Sequence, residues 1–237
     1  MSTLIATTFL LVTMQGAPDA AARDRAIATF EQQGRARETH FSCIYDSDPA
    51  ATRRFVSATD PYFHLDARNA GATGFSQALP SSVVFGSCIA AVARSMPERA
   101  SGTLSFELRD YRNWAARRVY LERFPRVATL DRMARAKRAK ADYGSNTKAV
   151  AGLLATVDCA VRREPATADW LVRNGNPNEL HLDSETLRNQ NVMTAAFRRC
   201  SNKATPDNGS AELINNWTGF LADSLLRMTG EAQGAAK

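Results

Sequence analysis

A chain of 237 residues with 44% hydrophobic and 23% charged content has the composition of an ordinary globular protein, which excludes a low-complexity or wholly disordered chain. The balance of 30 Lys and Arg against 24 Asp and Glu gives a formal charge of +6. That supports a general affinity for anionic surfaces but no specific partner, and nucleic-acid binding is not expected.

Residues 4–14 form an uncharged, mostly apolar stretch too short to span a bilayer. Ala20-x-Ala22 behind it offers a small-residue cleavage pattern, so residues 1–22 are read as a secretory signal peptide. The leading Met-Ser-Thr lacks the usual Lys or Arg, and Pro18 would sit directly behind a cut after Ala17, which leaves a buried N-terminal helix as the rival reading. Export to a periplasm and no transmembrane segment in the mature chain are the expectations.

Four cysteines follow, at positions 43, 88, 159 and 200. No Cys-x-x-Cys and no Cys/His cluster occurs, so zinc and thioredoxin-like chemistry fail the spacing test, and neither metal nor cofactor is expected. An even count in an exported chain favours two disulfides, with three connectivities open in principle.

The chain then reads as one unit written twice. A shift of 116 residues lays Cys43 to Pro49 over Cys159 to Pro165 and Val56 over Val172. His64-Leu65-Asp66 meets His181-Leu182-Asp183 after a one-residue slip, and Cys88 then meets Cys200. Near each C-terminal end, Tyr111-Arg-Asn-Trp114 lies over Trp217-Thr-Gly-Phe220. Four matches in one order predict a tandem duplication of a mainly helical, all-α unit. The units span residues 23–124 and 149–230, with a basic helical connector over 125–148 and a disordered tail over 231–237.

Within each unit, Asp48-Pro49 and Glu164-Pro165 predict helix starts, because proline is tolerated at the first helical position and an acid there meets the positive helix end. The short helices that follow, over 50–56 and 166–172, run into loops rich in helix-stopping residues. Val83, Val84, Ser87, Ile89, Val92 and Ala93 in one unit, and Leu187, Val192, Ala195 and Ala196 in the other, predict a helix carrying the second cysteine. Trp217, Phe220, Leu221, Ser224, Leu225 and Met228 give the last helix one apolar stripe. Short strands within 75–85 or 103–108 are the alternative to a wholly helical chain. A duplicated unit that closes Cys43 to Cys88 should close Cys159 to Cys200 likewise, which makes all four cysteines staples rather than reactive groups.

The connector carries Arg132, Arg135, Lys137, Arg138 and Lys140, read as the solvated face of a helix or as a patch for lipid headgroups or lipopolysaccharide. Of three histidines, His40 lies one turn before Cys43 with Thr156 at the matching place, and looks incidental. His64 with Asp66, and His181 with Asp183, are the only candidates for acid–base catalysis. The simpler account is that Asp66, and Asp183 or Ser184, cap the next helix. No nucleophile elbow, phosphate-cradling glycine loop or His-Glu-x-x-His occurs. Asn208-Gly-Ser210 and Asn216-Trp-Thr218 fit the glycosylation triplet, which matters only in a eukaryotic secretory pathway.

Cys159-Ala-Val-Arg-Arg-Glu-Pro165-Ala166, a second cysteine about forty residues later, and Trp217-Thr-Gly-Phe-Leu-Ala-Asp-Ser-Leu-Leu-Arg227 together resemble a group of uncharacterised exported bacterial proteins. That resemblance implies an exported, helical, disulfide-bonded protein and carries no activity, cofactor or catalytic residue. The expected function is a non-catalytic binding or scaffold protein of the cell envelope, with its ligand in a groove between the two units. An envelope-polymer hydrolase using a carboxylate or a His-Leu-Asp element, and an anionic-surface binding module, are the alternatives.

Overall fold

Helix starts fall where the sequence supplies them. The computed structural model describes residues 20–61, 82–95, 108–126, 147–175, 183–201 and 209–229, and among these there are eight helices and no strand. The first four are α1 (Ala20–Ser47), α2 (Pro49–Ala58), α3 (Ser82–Ser95) and α4 (Leu108–Arg123). The second four are α5 (Thr147–Arg163), α6 (Pro165–Asn174), α7 (Ser184–Cys200) and α8 (Gly209–Met228).

Pro49 and Pro165 each open a short helix, as their fixed backbone angle favours. Asp48 caps α2 by accepting from the Ala51 amide at 2.8 Å. Glu164 occupies the same position before α6, but its side chain makes no capping hydrogen bond. Asp183, rather than Ser184, caps α7 by accepting from the Thr186 amide at 2.6 Å. Residues 82–85, within one of the segments considered for a strand, are helical.

The two halves correspond helix by helix, consistent with a duplicated unit. Disulfides join α1 to α3 through Cys43 and Cys88, and α5 to α7 through Cys159 and Cys200, with Cα atoms 5.6 and 5.8 Å apart. In each half the second helix packs on the fourth. The halves meet chiefly through α4 and α8, the most extensive helix pair among the described residues. These are matching helices, so the contact has the self-complementary character of an isologous interface. Matching residues, Asn113 and Gly219, face each other across it.

One continuous apolar cluster runs through both halves, from Phe41, Ile44, Phe55 and Tyr111 to Leu171, Met193, Phe220 and Leu225. The stripe expected on α8 is inside: Phe220, Leu221, Ser224, Leu225 and Met228 are buried. The helices expected to carry the second cysteines are present as α3 and α7, with Val92 and Ala196 buried. Ile89, Leu187 and Val192 are exposed, at 55%, 46% and 36%. On α7 the buried face is Thr186, Met193 and Ala196, roughly half a turn from Leu187 and Val192 at 100° per residue. A short helix with apolar residues on both sides does not reveal which side its neighbours cover.

No described helix is long and apolar enough to cross a membrane. The expected leader lies almost wholly outside the described residues, which begin at Ala20 with the start of α1. The tail over 231–237 lies outside them too.

Candidate functional site

The residues that sequence alone put forward for chemistry divide sharply. His64, Asp66 and His181 lie outside the described residues, as do the basic residues Arg132, Arg135, Lys137, Arg138 and Lys140. Asp183 is described, and its carboxylate is held below the ordinary aspartate range by the Thr186 backbone hydrogen bond of the cap. His40 is buried, and desolvation lowers its pKa despite a hydrogen bond to the Cys88 backbone. It is therefore neutral at pH 7. All four cysteines are in disulfides. Among the described residues no His, Cys, Asp and Glu group could hold a metal ion.

The seam between the halves was expected to open into a groove. Where α4 meets α8, the seam holds buried charged groups that no local pattern announced. Arg112 on α4 is wholly buried and pairs with Asp223 on α8, which also accepts from Arg227 at 2.9 Å. Burial pulls the Arg112 guanidinium below its usual range, and the Asp223 charge opposes that shift.

Arg112 also donates to the Val56 carbonyl at 3.1 Å and the Thr59 carbonyl at 2.8 Å, and Arg227 reaches the same Thr59 carbonyl. These carbonyls lie at the open C-terminal end of α2, where backbone acceptors have no partner within the helix. Arg117 does the same across the seam, donating to the Val172 carbonyl at 2.7 Å and the Arg173 carbonyl at 3.1 Å at the end of α6. Each fourth helix thus sends an arginine into the other half to close its second helix.

Two Tyr–carboxylate–Arg clusters look catalytic until their bonds are followed. Tyr120 donates to Asp169 at 2.6 Å, and Arg173 holds both oxygens of that carboxylate at 2.8 and 3.0 Å. Arg173 also donates to the Phe124 and Arg126 carbonyls, both at 2.8 Å, so the cluster fastens α6 to the end of α4. In the other, Tyr45 donates to Glu122, which also takes Arg53 at 3.1 Å and Arg118 at 3.1 Å. Burial and the Glu122 hydrogen bond push the Tyr45 phenol up to about 12. Burial alone would raise the Glu122 carboxyl, but hydrogen bonds from Tyr45 and Arg53 and the Arg118 charge outweigh it and hold it down. Both carboxylates are saturated by donors, which suits cross-bracing rather than proton transfer to a substrate.

Among the described residues, the outer face of α7 is open. Ser184, Leu187, Arg188, Asn191, Val192 and Ala195 line a shallow concavity of about 570 Å³. Their spacing of three and four residues puts all six on one stripe, opposite the buried Met193. Arg188 at one end pairs only weakly with Glu185, 3.7 Å away. From the sequence, Leu187 and Val192 served only as markers of a helix carrying the second cysteine. Arg112, Asp223, Asp169 and Arg173 carried no sequence signal, since their partners are set by the packing.

Compared with known proteins, the chain matches no family model, no curated protein and no solved structure.

Proposed function

We propose that the chain is a non-catalytic binding or scaffold protein that works in an oxidising compartment outside the cytoplasm, in a bacterial setting the periplasm. The observation that carries this reading is the outer face of α7. Leu187 and Val192 stand 46% and 36% exposed on a helix anchored to the core by Met193 and Ala196 and to α5 by Cys159–Cys200. Apolar side chains displayed on a rigid support lose little freedom when a partner covers them, which favours binding. Export is supported by the two disulfides, which persist where thiols are not kept reduced. A hydrolase reading has less support, because Asp183 is committed to a helix cap and the Tyr–acid–Arg clusters are saturated.

The test uses the full chain in its own cells. A photo-crosslinking residue at position 192 should give a discrete protein adduct, and the same group at the exposed Arg54 position should not. Alkylation before reduction should leave all four cysteines unlabelled. Equal crosslinking at both positions would remove the binding reading, and labelled cysteines would remove the export reading.

A further inference from the structure

The stripe that lines the concavity does not end at Ala195. Continued at helical spacing it takes in Arg198 and Arg199, both exposed. These flank Cys200, whose disulfide brings Cys159 within 5.8 Å between Cα atoms, and one turn beyond Cys159 stand Arg162 and Arg163, also exposed. None of these four arginines is in an ion pair with a described residue. The acids on the same segments are Glu185, beside Arg188, the half-buried Glu164, Asp183, which accepts from the Thr186 amide in the cap, and the half-buried Asp158, which accepts from Ser224 at 2.6 Å.

The first half serves as an internal control. It builds the same disulfide, yet the places that match Arg162 and Arg163 are Asp46 and Ser47, and those that match Arg198 and Arg199 are Gly86 and Ser87. Cations are welcome at helix C-terminal ends, but α1 ends without one. The fold therefore does not require an arginine cluster around the second staple.

We infer that the outer face of α7 docks an acidic amphipathic helix from a partner protein, its apolar side on Leu187 and Val192 and its carboxylates on Arg198, Arg199, Arg162 and Arg163. This rests on the binding reading above. A helix laid in a shallow groove presents apolar anchors at i, i+3, i+4 and i+7, which can seat between Leu187 and Val192 on either side of the concavity, and arginine forks suit carboxylates through paired hydrogen bonds. The concave shape favours a helix over a planar bilayer, and the patch lacks the broad apolar face of a membrane-lying helix.

The probe is a synthetic peptide of about eighteen residues, five helical turns, with leucines on one stripe and glutamates flanking it. A control peptide carries lysine for every glutamate. Fluorescence anisotropy with the full chain should show the Glu peptide binding about tenfold or more tighter than the Lys peptide. Arg198→Glu with Arg199→Glu should weaken it about tenfold, and Leu187→Ser with Val192→Ser by a similar factor. Amide exchange should slow across 184–200 on binding. Arg54→Glu, a charge reversal of one exposed arginine on α2, should change nothing.

Absence of Glu-peptide binding, equal binding of the two peptides, or indifference to the arginine reversal would overturn the inference. So would binding of vesicles about one-third phosphatidylglycerol that the same reversal abolishes while the peptide does not bind. Crosslinking at position 192 that survives the arginine reversal would leave the binding reading intact and defeat this one alone.

Discussion

Gly219 of α8 lies against the backbone of Asn113 of α4: a Cβ placed there would fall 2.5 Å from the Asn113 Cβ, 2.7 Å from its carbonyl oxygen and 2.8 Å from its Cα. The two residues match in the repeat and meet where the two halves join. With no side chain at 219 the helices pack closely enough for Arg112 and Arg227 to reach the end of α2. The glycine is needed for close approach, not for an unusual backbone angle.

Gly219→Ala should therefore force α4 and α8 apart. We expect a loss of about 1–3 kcal/mol, the range for overpacking a core, or a fall of about 2–4 °C in Tm for each kcal/mol in a chain of this size. Adding Asn113→Gly should restore only part of the loss, because the Asn113 carbonyl and Cα still stand within 2.8 Å. Full recovery in thermal melts of the double variant would contradict this account.

The buried pair across the seam makes an asymmetric prediction. Asp223→Ala leaves Arg112 buried without its counter-charge and should cost about 3–5 kcal/mol. Arg112→Met with Asp223→Leu should cost less than Asp223→Ala alone, because no charge is stranded, although the Val56 and Thr59 carbonyls lose a donor. Denaturant titrations of the single and double variants supply the comparison. Additive losses would mean the two residues do not act as a pair.

Each disulfide closes a loop, with sequence separations of 45 and 41. In the chain-entropy account each should stabilise by about 4 kcal/mol. Cys43→Ser with Cys88→Ser, and Cys159→Ser with Cys200→Ser, should each lower stability by up to that amount. Non-reducing peptide mapping should recover the 43–88 and 159–200 peptide pairs and no crossed pair.

Acid should weaken the fold through His40. Burial lowers its imidazole below the ordinary value of 6.5, so the unfolded chain takes up a proton that the folded chain resists. That contribution to stability is full above 6.5 and is lost as pH falls through the lowered folded value. His40→Thr, which installs the residue found at the matching position 156, should flatten the stability profile as pH falls below the ordinary histidine value of 6.5. An unchanged slope in melts of the variant against the parent would place the dependence elsewhere.

The amino-acid sequence by itself determined the helical class, the helix starts at Pro49 and Pro165, a cap at Asp183 or Ser184, the inward stripe of α8 and the pairing of the cysteines. These are local or periodic properties. Proline angle, capping oxygens and apolar spacing act within a turn or two, and a matched order of landmarks carries the cysteine pairing from one half to the other. The tertiary structure alone decided that Arg112 meets Asp223 across 111 residues, that Gly219 faces Asn113, and that Leu187 and Val192 point outward. Such contacts depend on where separate helices come to rest. On α7, with apolar residues on both sides, the helix period fixes a stripe but not the side that Met193 and its neighbours bury.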